Sequence, residues 1–188
     1  MTGIEEEYNE VDYSDKKLPL QNYDACIFTN CNFSGANLSA IVFTQCSFFN
    51  CNFTGVKLKE TSFQEECQFI ESKLVGADFS ICNPFMISFQ FDNSNLEYSS
   101  FANLDIKHTT FKNCNLKEVD FTDSDISKSI FAYCNLEKVI FENTTGTEVD
   151  FQTAMNVQID LETNNFRKSI FSRNNIDGLL SKYKIRIH

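Results

Sequence analysis

The sequence predicts an all-β fold, a square coil of stacked strands (a quadrilateral β-helix) closed by a short C-terminal helix and strand. Three regularities predict it. A large apolar residue, here called a centre, recurs at every fifth position, as in Phe111, Leu116, Phe121, Ile126, Phe131, Leu136 and Phe141. A small or slim residue stands two before most centres, as Cys26, Cys31, Ala36, Cys46, Cys51, Ser72, Ala77, Ser94, Cys114, Val119, Ser124 and Cys134 do. Like residues also recur every twenty: Phe111, Phe131 and Phe151, then Leu96, Leu116 and Leu136, and earlier Leu18, Leu38 and Leu58. Five matches neither the helical period of 3.6 nor the strand period of 2. Four five-residue sides make one turn of twenty, so like residues lie above one another at the strand spacing of roughly 4.8 Å. Two side chains of each five then point inward and three outward. A single coil buries nothing, whereas a stack does.

The elements follow in chain order. Residues 1–20 hold the acidic segment Glu5 to Asp15; Tyr8, Tyr13 and Leu18 keep the beat of five, which makes this segment a first partial coil or a flexible tail. The coil proper spans residues 21–156. Its centres run from Tyr23 and Phe28 to Phe63, where one extra residue shifts the frame before Phe69, Leu74 and Phe79. At CNPFMISFQFDN the pattern breaks: Pro84 takes a centre, Phe89 the next, and two extra residues precede Leu96. Residues 157–188 are a last partial coil and a closing segment. There Ile176, Leu179, Leu180 and Tyr183 have helical i, i+3, i+4, i+7 spacing, with Asn174 or Asn175 as the cap. Ile185 and Ile187 then alternate with charged residues as in a short strand. An open coil end is a row of unpaired backbone groups. This segment therefore either folds over the last coil of a monomer or joins two rods in a two-fold dimer.

Composition narrows the function. No apolar run approaches the roughly 20 residues of a membrane helix, and the N-terminus lacks the pattern of a secretory signal, so a cytoplasmic protein is expected. Up to residue 166 there are 25 acidic and 10 basic residues, and from Arg167 onward one acid and six bases. An acidic body disfavours direct contact with nucleic acid phosphates and suits a basic protein partner. All eight cysteines occupy the small inward position, where they are read as buried, reduced, compact apolar side chains. Their spacing is not that of a zinc site, so no metal or cofactor is expected. Cys26/Cys46, Cys31/Cys51 and Cys114/Cys134 stack twenty apart, but their parallel Cβ vectors are poorly aimed for disulfides. Neither His108 nor His188 belongs to a ligand cluster, and no nucleophile, phosphate or metalloprotease motif is present, so no catalytic residue is assigned. What remains is the outer surface. Asp105 and Asp125 stack on one face, Asp123 and Glu142 stand close to that relation, as do Glu118 and Glu137, and Asp120 and Asp150 add to the region. They form either a solvated polar face or an ordered acidic contact surface.

Units such as CNFSG, ANLSA, CNFTG, ADFSI, CNLKE, VDFTD and CNLEK resemble the A(D/N)LXX pattern of the pentapeptide-repeat family. The resemblance implies a right-handed coil. It also points to a branch of that family: CNPFMISF and the tail from Ile159 to Ile187 are similar to segments of its quinolone-resistance members, which stand beside immunity proteins against microcin B17 and albicidin. That likeness implies a homodimer joined through Ile176, Leu179, Leu180, Tyr183, Ile185 and Ile187. It further implies a DNA-mimicking acidic face (Asp105, Glu118, Asp120, Asp123, Asp125, Glu137 and Glu142) that engages DNA gyrase or topoisomerase IV. The long projecting loops of the larger resistance proteins have no counterpart here. A scaffold with an unrelated partner is the alternative, because fold does not determine function.

Overall fold

A five-residue side leaves room for strands of about three residues, and the computed structural model, which describes residues 2–185, contains them. On the first face of the coil β1 (Thr2–Ile4), β3 (Asn22–Asp24), β5 (Val42–Thr44) and β7 (Ser62–Gln64) form a parallel sheet. On the second face β2 (Glu7–Asn9), β4 (Ile27–Thr29), β6 (Ser47–Phe49), β8 (Cys67–Ile70), β9 (Phe89–Asp92), β10 (Thr110–Lys112) and β11 (Ile130–Ala132) form a seven-stranded one. The third and fourth faces pair through single bridges such as Asn32 to Asn52 and Ser100 to Asp120. Each coil therefore bonds both neighbours: Asn32 N donates to Val11 O at 3.0 Å, and Phe33 N to Asn52 O at 2.7 Å. The acidic N-terminal segment forms the first coil, with Tyr8 paired to Phe28 and Gly3 to Tyr23.

The repeat unit is explained residue by residue. The centre points inward and stacks on its counterpart, as Phe28, Phe48 and Phe69 do at ring separations of 5.0 and 4.9 Å. The residue before the centre is often Asn or Asp because its side chain closes a local turn. Oδ1 accepts the amide two residues on, in Asn32 to Ser34, Asn52 to Thr54 and Asp120 to Thr122. The residue two after the centre turns the corner at positive φ, and among the described residues 28 non-glycine residues stand in that region beside Gly35, Gly55 and Gly76. At Gly35 the choice is steric as well, since a Cβ would meet Asp15 Oδ1 at 2.2 Å.

The small inward residue does more than save space. Cys46 Sγ donates to Tyr23 O, Cys51 Sγ to Phe28 O and Cys134 Sγ to Phe111 O, each at 3.3–3.4 Å. Thr61 Oγ1, Ser72 Oγ and Thr144 Oγ1 make the same bond at 2.8–3.1 Å. These donors satisfy a centre carbonyl of the coil before, so Cys alternates here with Ser and Thr rather than only with Ala and Val. The cysteines are the buried, reduced thiols of the small inward position that the sequence predicts, and the structure adds their role as donors. All eight are buried free thiols. Burial pushes Cys46, Cys67 and Cys82 up, Cys67 to about 12.

The break also differs from its sequence assignment. Phe91, not Phe89, is the centre in register with Phe69 and Phe111, so the extra residues precede Phe91 rather than Leu96. Pro84 is exposed and fills no core slot. Phe89 is paired instead with Cys67, a small-residue position, and its ring packs 5.4 Å from Phe63 and 5.2 Å from Phe79. A rigid proline ring is a poor filler for a slot shaped by stacked phenyl groups, and the inserted residues bring a phenyl there.

Candidate interaction surface

Because three residues of each five face outward, the outside of the rod is a lattice whose rungs are one coil apart. Side chains of adjacent coils therefore neighbour one another, and lysines can reach carboxylates above or below. Lys107 Nζ lies 2.7 Å from Asp105 Oδ2 and 3.2 Å from Asp125 Oδ2, clasping the two stacked aspartates. Its hydrogen bonds to them hold the ammonium above the ordinary lysine range. Burial opposes the charge on Asp125, but bonds from Ser127 and Lys107 outweigh it and keep the carboxyl below its usual value. Lys117 reaches up to Glu137 at 3.5 Å, and Lys138 down to Glu118 at 3.6 Å. Four of the seven acids expected on the contact face are thus paired. Asp120 accepts from Thr122 N at 2.8 Å and Oγ1 at 2.6 Å. Asp123 and Glu142 are exposed on consecutive coils, Asp123 N donating to Glu142 O at 2.9 Å.

Charge is differently arranged nearer the N-terminus. Among the described residues the ion pairs involve eight carboxylates, and the lowest in the sequence is Asp92, paired with Lys112. Glu60, Glu65, Glu66 and Glu71 stand on corners of the preceding coils at positive φ, in none of these pairs.

The C-terminal end is built from residues that replace a further coil. Gly146 stands at a centre without a side chain, and the Phe166 ring occupies the space: a Cβ there would lie 2.2 Å from Phe166 Cε1. Asn175 is buried, donating from Nδ2 to Phe151 O at 2.7 Å and Ala154 O at 3.1 Å, while its Oδ1 accepts from Ser172 N at 3.0 Å. It plugs the coil end and makes no side-chain cap bond. The expected helix is two 3-10 turns, Ile176–Leu179 and Ser181–Tyr183. Gly178 lets the first turn lie against the coil, since a Cβ would sit 1.6 Å from Val157 O. Ile185 is exposed and belongs to no strand, and Ile187 lies outside the described residues. The closure is tied by Lys182, at 2.5 Å from Asp160 and 2.8 Å from Glu162, and those bonds hold both carboxyls below their ordinary values.

These turns leave an apolar surface open to solvent. Leu179 packs partly on the core, whereas Ile176, Leu180 and Tyr183 are 47%, 37% and 54% exposed. With Leu161 they line an open hollow of about 250 Å³. A larger groove of about 960 Å³ runs beside it between Tyr133, Met155, Gln158, Asn174 and Gly178. No group of three or more metal-ligating side chains occurs among the described residues, and no described helix is long and apolar enough to cross a membrane.

A stacked square coil with a polar lattice outside and a stacked apolar core within is a repeat solenoid, a class whose members present long binding surfaces. The model of pentapeptide repeats matches in eight copies, over residues 26–64, 90–131 and 105–143. The chain belongs to the pentapeptide-repeat family. No curated protein matches it in sequence. Among solved structures it is similar to trypsin-treated QnrB1, a plasmid-mediated fluoroquinolone resistance protein, at 18% identity and TM-score 0.42, with 100% of each chain covered. HetL, a pentapeptide repeat protein involved in heterocyst differentiation regulation from the cyanobacterium Nostoc sp. strain PCC 7120, is 14% identical at TM-score 0.32, with 92% of this chain and 86% of that one covered. A pentapeptide repeat protein of the Arabidopsis thaliana thylakoid lumen is 17% identical at TM-score 0.22, covering 81% and 86%.

Proposed function

We propose that this protein is a DNA-mimicking rod that binds a type II topoisomerase, DNA gyrase or topoisomerase IV, and modulates it or protects it against quinolones or gyrase-poison toxins. The observation that carries this reading is the surplus of negative charge on a regular lattice. Of the 25 carboxylates up to residue 166, only eight take part in ion pairs among the described residues. Carboxylates at one-coil intervals offer a DNA-binding surface the same sign of charge as phosphates. The likeness of the CNPFMISF break and of the closing tail to quinolone-resistance members supports the same reading. The apolar C-terminal hollow supports a homodimer, in which two rods double the length of acidic surface.

One observation favours a second reading, a scaffold for an unrelated partner. Lys107, Lys117 and Lys138 neutralise the stacked acids where mimicry most needs them. A supercoiling assay with purified gyrase, with and without ciprofloxacin, decides between the two. The topoisomerase reading expects altered supercoiling or relief of the drug, and no effect in either arm sinks it. Asp105, Asp120 and Asp125 also accept turn hydrogen bonds. The informative variant is therefore Asp→Asn at all three, which removes charge and keeps the acceptor. Leu179→Asp with Leu180→Asp should yield monomers by light scattering.

A further inference from the structure

The break in the repeat throws out side chains that the fold gives no use. Phe85 and Met86 are 66% and 58% exposed, and Ile81, at the preceding corner, is 45% exposed. Exposed apolar side chains are ordinary when single, but three at one level of an acidic rod mark a contact site. They are firmly presented. Asn83 N donates to Thr61 O at 2.9 Å, Asn83 Oδ1 accepts Phe85 N at 3.0 Å, and Ser88 N donates to Phe63 O at 3.0 Å. Ile87 bridges to Gln64, and Pro84 restricts the backbone between the two fastened ends. Met86 holds φ of 56° without being glycine. A projection fixed at both ends loses little conformational freedom on binding.

The charge beside it selects the partner. Glu60 lies one coil below Ile81, its amide donating to Ile81 O at 2.8 Å, and Glu65 and Glu66 directly follow Gln64, which pairs with Ile87. None of the three glutamates is in an ion pair among the described residues. We infer that Phe85 and Met86 are an anchor that inserts into an apolar pocket of a basic protein surface, with Glu60, Glu65 and Glu66 meeting lysines or arginines at its rim. The inference deepens the topoisomerase reading and rests on it: the basic surface is that enzyme's DNA-binding face. The same acidic rim disfavours a second copy of this knuckle.

The test is binding of purified DNA gyrase to the full chain by biolayer interferometry, for the wild type, Phe85→Ser with Met86→Ser, and Glu60→Gln with Glu65→Gln and Glu66→Gln. The serine pair should lose at least about tenfold in affinity at low and high salt, as an anchor truncation does. The glutamine triple should lose about tenfold at low salt, with the gap closing near 0.5 M salt as screening removes the charge contribution. Thermal melting of both variants should match the wild type, because the altered side chains are outside the core. Wild-type binding with unchanged affinity in both variants overturns the anchor and leaves the topoisomerase reading standing. Absence of wild-type binding overturns both. Loss of binding with a matching fall in melting temperature, or a change of oligomeric state in light scattering, shows a structural or self-association role and also overturns the anchor.

Discussion

The coils before the break and those after it solve the same packing problem with different side chains. Below it three faces carry rings, with Tyr23, Phe43 and Phe63 on the first, Phe28, Phe48 and Phe69 on the second, and Tyr13, Phe33 and Phe53 on the third, while leucines line the fourth. Above it the second and fourth faces are aromatic, through Phe111 and Phe131, and Phe101 and Phe121, with Leu116 and Ile126 on the others until Phe166 enters the first face at the C-terminal end. The exchange begins at Leu74 and Phe79, and Phe89 fills the mismatch between the two sets. Outside, the contrast is electrostatic: every ion pair among the described residues involves residues from Asp92 onward. Shape and charge of a rod can therefore be set independently, because inward and outward positions of each five never exchange.

The largest test of this contrast is in the core. Phe48 has ring neighbours in Phe28, Phe33, Phe43, Phe53 and Phe69, whereas Phe131 has Phe111, Phe121 and Phe151. Phe48→Ala should cost about 5 kcal/mol and Phe131→Ala about 3 in urea unfolding. Equal costs would mean that the two cores pack alike.

Alkaline pH should separate the halves next. Burial raises Cys46 and Cys67, and also Tyr8, Tyr13 and Tyr23, all before the break. In the unfolded chain a thiol ionises near pH 8.5, while Cys67 stays protonated to about 12 in the fold. The unfolded state thus binds fewer protons than the native one above that point, and stability falls as pH rises from about 8.5 towards 12. One such thiol removes about 2 kcal/mol by pH 10. Near-ultraviolet circular dichroism of tyrosine should report loss of the lower coils first; a pH-independent midpoint to pH 10 would refute it.

Two serines near the junction give a smaller but sharper test. Ser94 Oγ donates to Phe69 O at 3.1 Å, whereas Ser99 Oγ is buried without a partner among the described residues, in a column otherwise lined by Ala36, Val56, Ala77, Val119 and Val139. Ser94→Ala should destabilise by about 1 kcal/mol and Ser99→Ala should stabilise by about 1. A loss at both sites would show that Ser99 has an unseen partner. The smallest effect is expected at the surface, where Lys107→Met should lower the unfolding midpoint slightly at low salt and not at 0.5 M, since exposed pairs are weak and screened.

Much of the fold was legible because period alone assigns inward and outward positions. The centres from Tyr13 to Phe79 and from Leu96 to Phe151 were readable on that basis. The break was not, since Pro84, Phe89 and Phe91 all fit a count of five with different insertions, and only packing against Phe63 and Phe79 distinguishes them. The C-terminal turns misled through helical spacing. Asn175 is drawn into the core by orphan carbonyls of Phe151 and Ala154 instead of capping a helix. The candidate surface was legible as a list of acids and not as a field, because nothing in Asp105 or Asp125 announces that Lys107 reaches both.

By itself the sequence determined the square coil, the two inward positions of each five and the acidic exterior, since these depend on a local period repeated until stacking is the only way to bury the centres. Only the tertiary structure decided which acids are neutralised, which carbonyls the thiols and hydroxyls satisfy, and that Phe85 and Met86 face solvent. Those outcomes rest on contacts between coils, and one inserted residue at Glu66 and two before Phe91 change every such neighbour while leaving the local pattern intact.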